Sequence, residues 1–416
     1  MNGTATARSH AWGAALALGL IASACAATPG ESPSVGTPSA PPTATSEPAT
    51  PSADVSPLTD WSVATGQAAL GRATLSGIVA GGPGLVAIGA VQPPAGEPAV
   101  ALFVSPDGLS WSQLAVPLGF TSWLAGPGSL AAGPSGVVAI GSVRDAETGA
   151  WSASPWLSAD GQEWRPADPQ AGLGGIIVTG ASATSERFVA VGCRALETVC
   201  LGLVALLSRD GLAWTRVPDL PGAEGLPQGV AAGGQGLVAW GNDCVDVCGV
   251  VHVLLWTSTD GTAWAVVPSA PELEEAAFAA VAAWSGGFVA VGSEGHRDEL
   301  TGESSSAAAW VSTDGRSWTR ARDADAFEGA TLNGVLASGG LLFAVGSVVD
   351  GDFTRAAMWT SADGLTWRRA PDTDAFDRGT MTRAAVGPAG LVAIGSVGTA
   401  DVSRPAVWAG PLPAVP

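Results

Sequence analysis

Seven times between residues 84 and 395, a short apolar run closes on glycine. The copies are Gly84-Leu-Val-Ala-Ile-Gly89, Gly136-Val-Val-Ala-Ile-Gly141, Arg187-Phe-Val-Ala-Val-Gly192, Gly236-Leu-Val-Ala-Trp-Gly241, Gly287-Phe-Val-Ala-Val-Gly292, Leu341-Leu-Phe-Ala-Val-Gly346 and Gly390-Leu-Val-Ala-Ile-Gly395. Their closing glycines fall 52, 51, 49, 51, 54 and 49 residues apart. Such a period, with about four short apolar runs in each unit, predicts propeller blades rather than the helix pairs of a solenoid. The expected fold is all-β, a seven-bladed β-propeller of four-stranded blades.

A second marker follows each of the first six runs. It reads Ser-x-Asp-Gly-x-x-Trp and stands at Ser105/Asp107/Trp111, Ser158/Asp160/Trp164, Ser208/Asp210/Trp214, Ser258/Asp260/Trp264, Ser312/Asp314/Trp318 and Ser361/Asp363/Trp367. Asp-Gly between two extended segments predicts a hairpin, formed as a tight primed turn with positive φ at both central residues. The aspartate carboxylate can also accept its own turn amides. Two residues before each serine stands a large apolar residue, Phe103, Trp156, Leu206, Trp256, Trp310 or Trp359. The hairpin therefore joins strands three and four.

Six hairpins against seven apolar runs leave one outer strand missing. Trp61 lies in phase as a fourth-strand tryptophan without a hairpin before it, and Trp408 lies in phase as a third-strand aromatic without a hairpin after it. The segment around Asp60–Thr65 is thus expected to supply the outer strand of the blade that ends the chain. A ring closed in this way has no open inter-blade edge.

The six turns resemble the Asp-box, or BNR, repeat of sialidase-like propellers, whose usual form is Ser-x-Asp-x-Gly-x-Thr-Trp. Here one residue fewer separates Asp from Trp in every copy. The resemblance implies that Asp107, Asp160, Asp210, Asp260, Asp314 and Asp363 are structural turn residues on the face away from a ligand. It does not carry the sialidase reaction across. Those enzymes typically use a tyrosine nucleophile and a cluster of arginines; this chain has no tyrosine and no Arg-Ile-Pro signature, Arg165-Pro166 being the nearest fragment.

The N-terminus has the composition of an export signal, residues 1–24, with Arg8 ahead of an apolar stretch from Ala11 to Ala24. It ends Ile21-Ala-Ser-Ala-Cys25, which resembles a bacterial lipobox and implies a lipidated Cys25; a plain signal peptide cut nearby is the alternative. Residues 26–57 hold eight prolines and eleven Ser/Thr, too few apolar groups to offset the entropy of ordering. They are expected to form a tether, with Cys25 as its anchor and residues 58–416 as the propeller. Cys193 with Cys200, and Cys244 with Cys248, form local pairs that read as disulfides outside the cytoplasm. A four-thiolate metal site is the less favoured alternative.

The formal charge of −19, with no lysine, argues against nucleic acid, whose binding neutralises phosphate with cations. It equally disfavours docking on anionic lipid, leaving the acyl chain as the expected membrane attachment. Carboxylates gather in the later blade-to-blade connectors: Asp219 and Glu224; Glu272, Glu274 and Glu275; Asp323, Asp325 and Glu328; Asp372, Asp374 and Asp377. Asp323, Asp325, Asp372 and Asp374 are the candidate calcium ligands, since calcium prefers hard oxygen donors.

Aligning the repeats on their glycines brings Ser76, Gln228, Asn333 and Thr382 to one position near the start of strand one, with Arg383 adjacent. This polar ring at the mouth of a narrow channel is the candidate ligand site. Of three histidines, His10 falls in the signal, His252 in an apolar third strand and His296 in a polar loop, and none has partners at catalytic spacing. The expected function is a monomeric surface module that binds a protein, glycan or cation, without a required cofactor. The alternative is a carbohydrate-active hydrolase or lyase using carboxylates on the loop face.

Overall fold

The computed structural model describes residues 58–413, apart from 94–97, 121–127, 197–198, 219–224, 246–249, 296–304, 323 and 400–401. These residues belong to one compact unit, Pro51–Pro416. They form seven antiparallel sheets of four strands, six of them with their strands in sequence order from the inner edge outward. The inner strands are Ala73–Gly81, Ser129–Gly133, Ile176–Ala183, Leu226–Gly233, Ala276–Trp284, Ala330–Ser338 and Gly379–Gly387. In the seventh blade the outer strand is Ser62–Thr65, paired with Val402–Gly410 through Val63 opposite Trp408. The ring therefore closes with an N-terminal strand, as the phase of Trp61 and Trp408 predicted.

The recurring apolar run is the second strand of each blade, and its lack of polar alternation has a direct cause. Both faces of a blade are covered by its neighbours, so a strand buried on both sides reads as continuously apolar. Phe288 and Ala290 face one packed cluster with Trp310, while Val289 and Val291 on the same strand face the next, with Phe343's neighbours Leu342 and Ala344. The constant alanine of the run lies opposite the large third-strand residue in every blade. The pairs are Ala87–Phe103, Ala139–Trp156, Ala190–Leu206, Ala239–Trp256, Ala290–Trp310, Ala344–Trp359 and Ala393–Trp408. A methyl group opposite an indole lets the blade keep an even thickness.

The closing glycine is fixed by the inner strand. Six inner strands carry a one-residue bulge, between Leu75 and Gly77, Val178 and Gly180, Pro227 and Gly229, Phe278 and Ala280, Leu332 and Gly334, and Met381 and Arg383. Each bulge drives a carbonyl against the glycine across from it. A Cβ on Gly346 would stand 1.8 Å from the Thr331 oxygen, and one on Gly395 would stand 2.0 Å from that of Thr380.

The Ser-x-Asp-Gly turns differ from the predicted hairpin in one respect. All six glycines have positive φ, from 71° to 84°, but none of the six aspartates does, so these are not two-residue primed turns. The carboxylate organises a wider loop instead. Asp107 Oδ1 accepts the amides of Leu109 at 2.9 Å and Ser110 at 2.7 Å, and Asp160, Asp210, Asp314 and Asp363 accept the two corresponding amides in their own loops. Asp260 accepts the Thr262 amide at 2.8 Å and the Thr262 hydroxyl. In each turn the tryptophan Nε1 donates to the glycine carbonyl, at 3.0 Å from Trp111 to Gly108 and at 2.9 Å from Trp367 to Gly364. With these bonds supplied by side chains, the second positive φ is unnecessary.

Candidate functional site

The two ends of the ring are assigned by contacts between loops. Turns linking strands one and two meet the Ser-x-Asp-Gly turns of the next blade: Ser135 Oγ donates to the Arg209 carbonyl at 3.3 Å, and Arg187 Nη1 to the Asp260 carbonyl at 3.2 Å. At the opposite end, connectors meet the strand 2–3 loops, as where the Gly175 amide donates to the Trp151 carbonyl and the Gly398 amide to the Arg378 carbonyl. The aspartate turns and the connectors thus lie on opposite faces of the ring.

The central channel holds a cavity of about 630 Å³ whose lining comes from the inner strands together with Trp240. Its wall is mostly backbone, Ala, Val and Gly. In six blades the ring position proves to be the bulge residue itself, thirteen residues before the closing glycine: Ser76, Thr179, Gln228, Ala279, Asn333 and Thr382; the same offset in the second blade gives Gly128, just ahead of its inner strand. Ser76 and Gln228 line the cavity as expected, and so does Arg383. Thr179, at the same offset before its closing glycine, also lines it and adds a hydroxyl that the sequence analysis did not include in the ring.

Asn333 and Thr382 behave differently. Asn333 Nδ2 donates to the Met381 carbonyl at 2.9 Å, stitching blade six to blade seven. Thr382 Oγ1 donates to the Ile394 carbonyl at 3.0 Å and lines a separate cavity of about 810 Å³ between blades seven and one. That second cavity is bordered by Gln67, Arg72, Ser396, Ser403 and Arg404.

Arg383 occupies the position just after the bulge. The equivalent residues in the other blades are Gly77, Ser129, Gly180, Gly229, Ala280 and Gly334, all small. Its Nη1 donates to the Thr382 carbonyl at 2.8 Å and to the Asn333 carbonyl. Burial lowers its pKa from the ordinary arginine value. It is the one ionisable residue in the lining of the channel cavity.

The acidic connectors divide among other partners. Asp372 pairs with Arg369 at 3.0 Å and Asp377 with Arg355 at 3.0 Å. Asp325 and Asp374 begin short 3-10 turns, Ala324–Phe327 and Asp374–Phe376. These turns have a packing role. The Ala326 carbonyl accepts Trp359 Nε1 at 2.7 Å and the Ala375 carbonyl accepts Trp408 Nε1 at 2.7 Å. Phe327 then sits 6.0 Å from both Trp359 and Trp367, and Phe376 sits 5.6 Å from Trp61. Asp323, Asp219 and Glu224 lie outside the described residues. Among the described residues, no three His, Cys, Asp or Glu side chains come together as a metal site.

Cys193 is buried beside Trp151 and Ile177, on the strand Phe188–Leu196. The register puts Cys200 opposite Ala195, near the same hairpin end. Cys244 falls on the strand Gly236–Val245, whereas Cys248 and Cys25 lie outside the described residues, as does His296. His252 lies on the third strand Val250–Ser258, opposite Asp243.

No family model and no curated protein matches the chain. Several solved structures align with the chain at low identity. A Trypanosoma rangeli sialidase in complex with the inhibitor DANA aligns at 13% identity over 72% of this chain and 56% of its own, with a TM-score of 0.43. The chain thus spans little more than half of that sialidase. The endosialidase of phage phi92 aligns at 12% identity over 85% of this chain and 69% of its own, TM-score 0.47. The β-propeller domain of the trilobed protease from Pyrococcus furiosus aligns at 8% identity over 81% and 93%, TM-score 0.47. By its own strand topology the chain is a seven-bladed β-propeller.

Proposed function

We propose that the propeller is the binding domain of an exported, lipid-anchored surface protein, and that its ligand, a protein or a glycan, is taken at the face formed by connectors and strand 2–3 loops. The observation that carries the binding reading is the chemistry of two cavities, the central channel and the one between blades seven and one. The channel offers Arg383 as its sole ionisable group, and the cavity between blades seven and one offers Arg72 and Arg404. Among the described residues, neither lining holds a carboxylate, imidazole or thiol, the groups that act as general acid, general base or nucleophile near neutral pH. Hydroxyls, amides, guanidinium groups and backbone suit recognition better than bond cleavage. Purified protein is to be tested on a panel of glycans and surface proteins, scored for both retention and cleavage. Retention without product supports the binding module, and cleavage of any panel member refutes it.

The address is part of the same proposal. It is supported by the signal-like residues 1–24, by Cys25, and by the Pro/Ser/Thr-rich residues that follow. Pairing of Cys193 with Cys200 and of Cys244 with Cys248 fits an oxidising compartment. In cells, Cys25→Ser is expected to release the protein from membranes, with no alkylatable thiol among the other four cysteines. Membrane retention of that variant removes the anchor, and free thiols remove the disulfides.

A further inference from the structure

We infer that the cleft between the Asp-Gly turns of blades two and three is a binding site for a neutral pyranose sugar, stacked on Trp164. It lies on the face opposite the one proposed above for the ligand and stands apart from that reading. Three observations lead to it. First, five of the six turn tryptophans, Trp111, Trp214, Trp264, Trp318 and Trp367, are buried at 2–6% exposure, whereas Trp164 is only partly buried against its core cluster. Second, Trp164 borders a cavity of about 560 Å³, within the usual range for small-molecule sites. The same lining brings in Ser135, Asp160, Glu163 and Arg165, with Asp210 from the next blade. Third, the hydrogen bonds that build these two turns all end on Oδ1 of Asp160 and Asp210, so Oδ2 of each has no partner among the described residues.

The chemistry of the lining selects the ligand. An indole is a flat apolar platform for the C–H face of a pyranose ring, which leaves the sugar hydroxyls directed at polar neighbours. Ionised carboxylates only accept, and their bonds from hydroxyl donors belong to the stronger, charge-assisted class. Turn amides, those of Glu163 and Gln162 on Asp160 and of Ala213 and Leu212 on Asp210, lower both aspartate pKa values and keep these acceptors charged. Three carboxylates against Arg165 disfavour an anionic sugar. Arg165 and a single aromatic wall disfavour a quaternary ammonium ion, which is held by a cage of several rings. The cleft one step on, between blades three and four, is an internal contrast. There Trp214 is 4% exposed and takes no part in the lining, and Asp210 is the one carboxylate bordering about 340 Å³.

The test uses the full chain in calorimetric titration. The probes are maltohexaose, cellohexaose and mannohexaose as neutral glycans, hexagalacturonate as the anionic counterpart, and choline as the cation. Saturable binding of at least one neutral hexaose is expected, weakened by about tenfold or more in Trp164→Ala. Trp164→Phe keeps an aromatic face and should bind more tightly than Trp164→Ala. Glu163→Gln leaves the core beneath Trp164 intact and should weaken binding several-fold, so the site stays testable if Trp164→Ala fails to fold. Absence of binding by every neutral hexaose overturns the inference, as does undiminished binding in Trp164→Ala or in Glu163→Gln. Choline or hexagalacturonate bound as tightly, and weakened by the same substitutions, overturns the neutral-sugar assignment. A hexaose held at full strength by both variants removes this site and leaves the loop-face reading standing.

Discussion

At the residue scale, the aspartate turns show a carboxylate doing what a backbone conformation would otherwise have to do. The amide of Ser110 is the largest influence on Asp107; burial opposes it, and further bonds from Leu109, Ser110 and Ser105 add to it, so its pKa falls from 3.8 to about 2. A folded-state pKa below the unfolded one means stability that is fully present above the unfolded value of 3.8. It is lost as pH falls from there through about 2. Asp107→Asn keeps the turn's shape and removes the charge, so acid unfolding in this window should become shallower. Asp107→Ala, which also leaves two amides without their acceptor, should lower stability near neutral pH by about 1 kcal/mol, as loss of a capping side chain does elsewhere. Urea unfolding of both variants at pH 7 and pH 3 checks this; an unchanged pH slope in Asp107→Asn would contradict the role given to the charge.

At the scale of elements, what the sequence revealed and what it hid have separate physical causes. Strand identity, blade count and ring closure follow from local composition at fixed spacing, so the pairing of the segment around Asp60–Thr65 with the strand that carries Trp408 could be anticipated from phase alone. The bulges could not, because a register shift belongs to two strands at once. Without them, Ser76, Asn333 and Thr382 look equivalent, although only Ser76 of these three lines the channel. Asp325-Ala-Phe327 and Asp374-Ala-Phe376 repeat one another in sequence, but their role as acceptor and wedge for the third-strand tryptophans emerges only from the fold. That role predicts an asymmetry. Trp359 Nε1 is bonded to the Ala326 carbonyl, whereas Trp310 Nε1 is buried without a partner. Trp→Phe removes similar volume at both positions, but at 359 it also breaks a hydrogen bond and strands a carbonyl, a loss of about 1 kcal/mol beyond the shared packing term. Trp359→Phe should therefore lower the unfolding midpoint more than Trp310→Phe; equal shifts would mean the carbonyl contact contributes nothing net.

For the whole molecule, stability depends on how the seventh blade is completed. Ser62–Thr65 covers the outer edge of Val402–Gly410, and with it come Leu58, 3% exposed, and the Trp61 ring, tilted against Phe376 at 5.6 Å between centroids. Deleting residues 1–53 removes none of these contacts and should leave the unfolding midpoint where it was. Deleting 1–66 removes all of them yet keeps Gln67, whose Oε1 accepts the Trp111 amide at 3.0 Å and whose Nε2 donates to the Leu109 carbonyl at 2.6 Å. The first blade is therefore spared, and any loss belongs to the seventh. Truncating one buried tryptophan typically costs about 3–5 kcal/mol, so the longer deletion should lower the midpoint by on the order of 5 °C or more. It should also leave the backbone groups of Val402–Gly410 open along one edge, and an unpaired strand invites pairing with a second chain. Concentration-dependent association of the 1–66 deletion, absent from the 1–53 deletion, is the signature of that edge. A peptide spanning residues 58–66, added in excess, should restore the monomer by refilling the strand position. If the two deletions melt together and both remain monomeric, the N-terminal strand is a bystander and the blade is held by its three remaining strands.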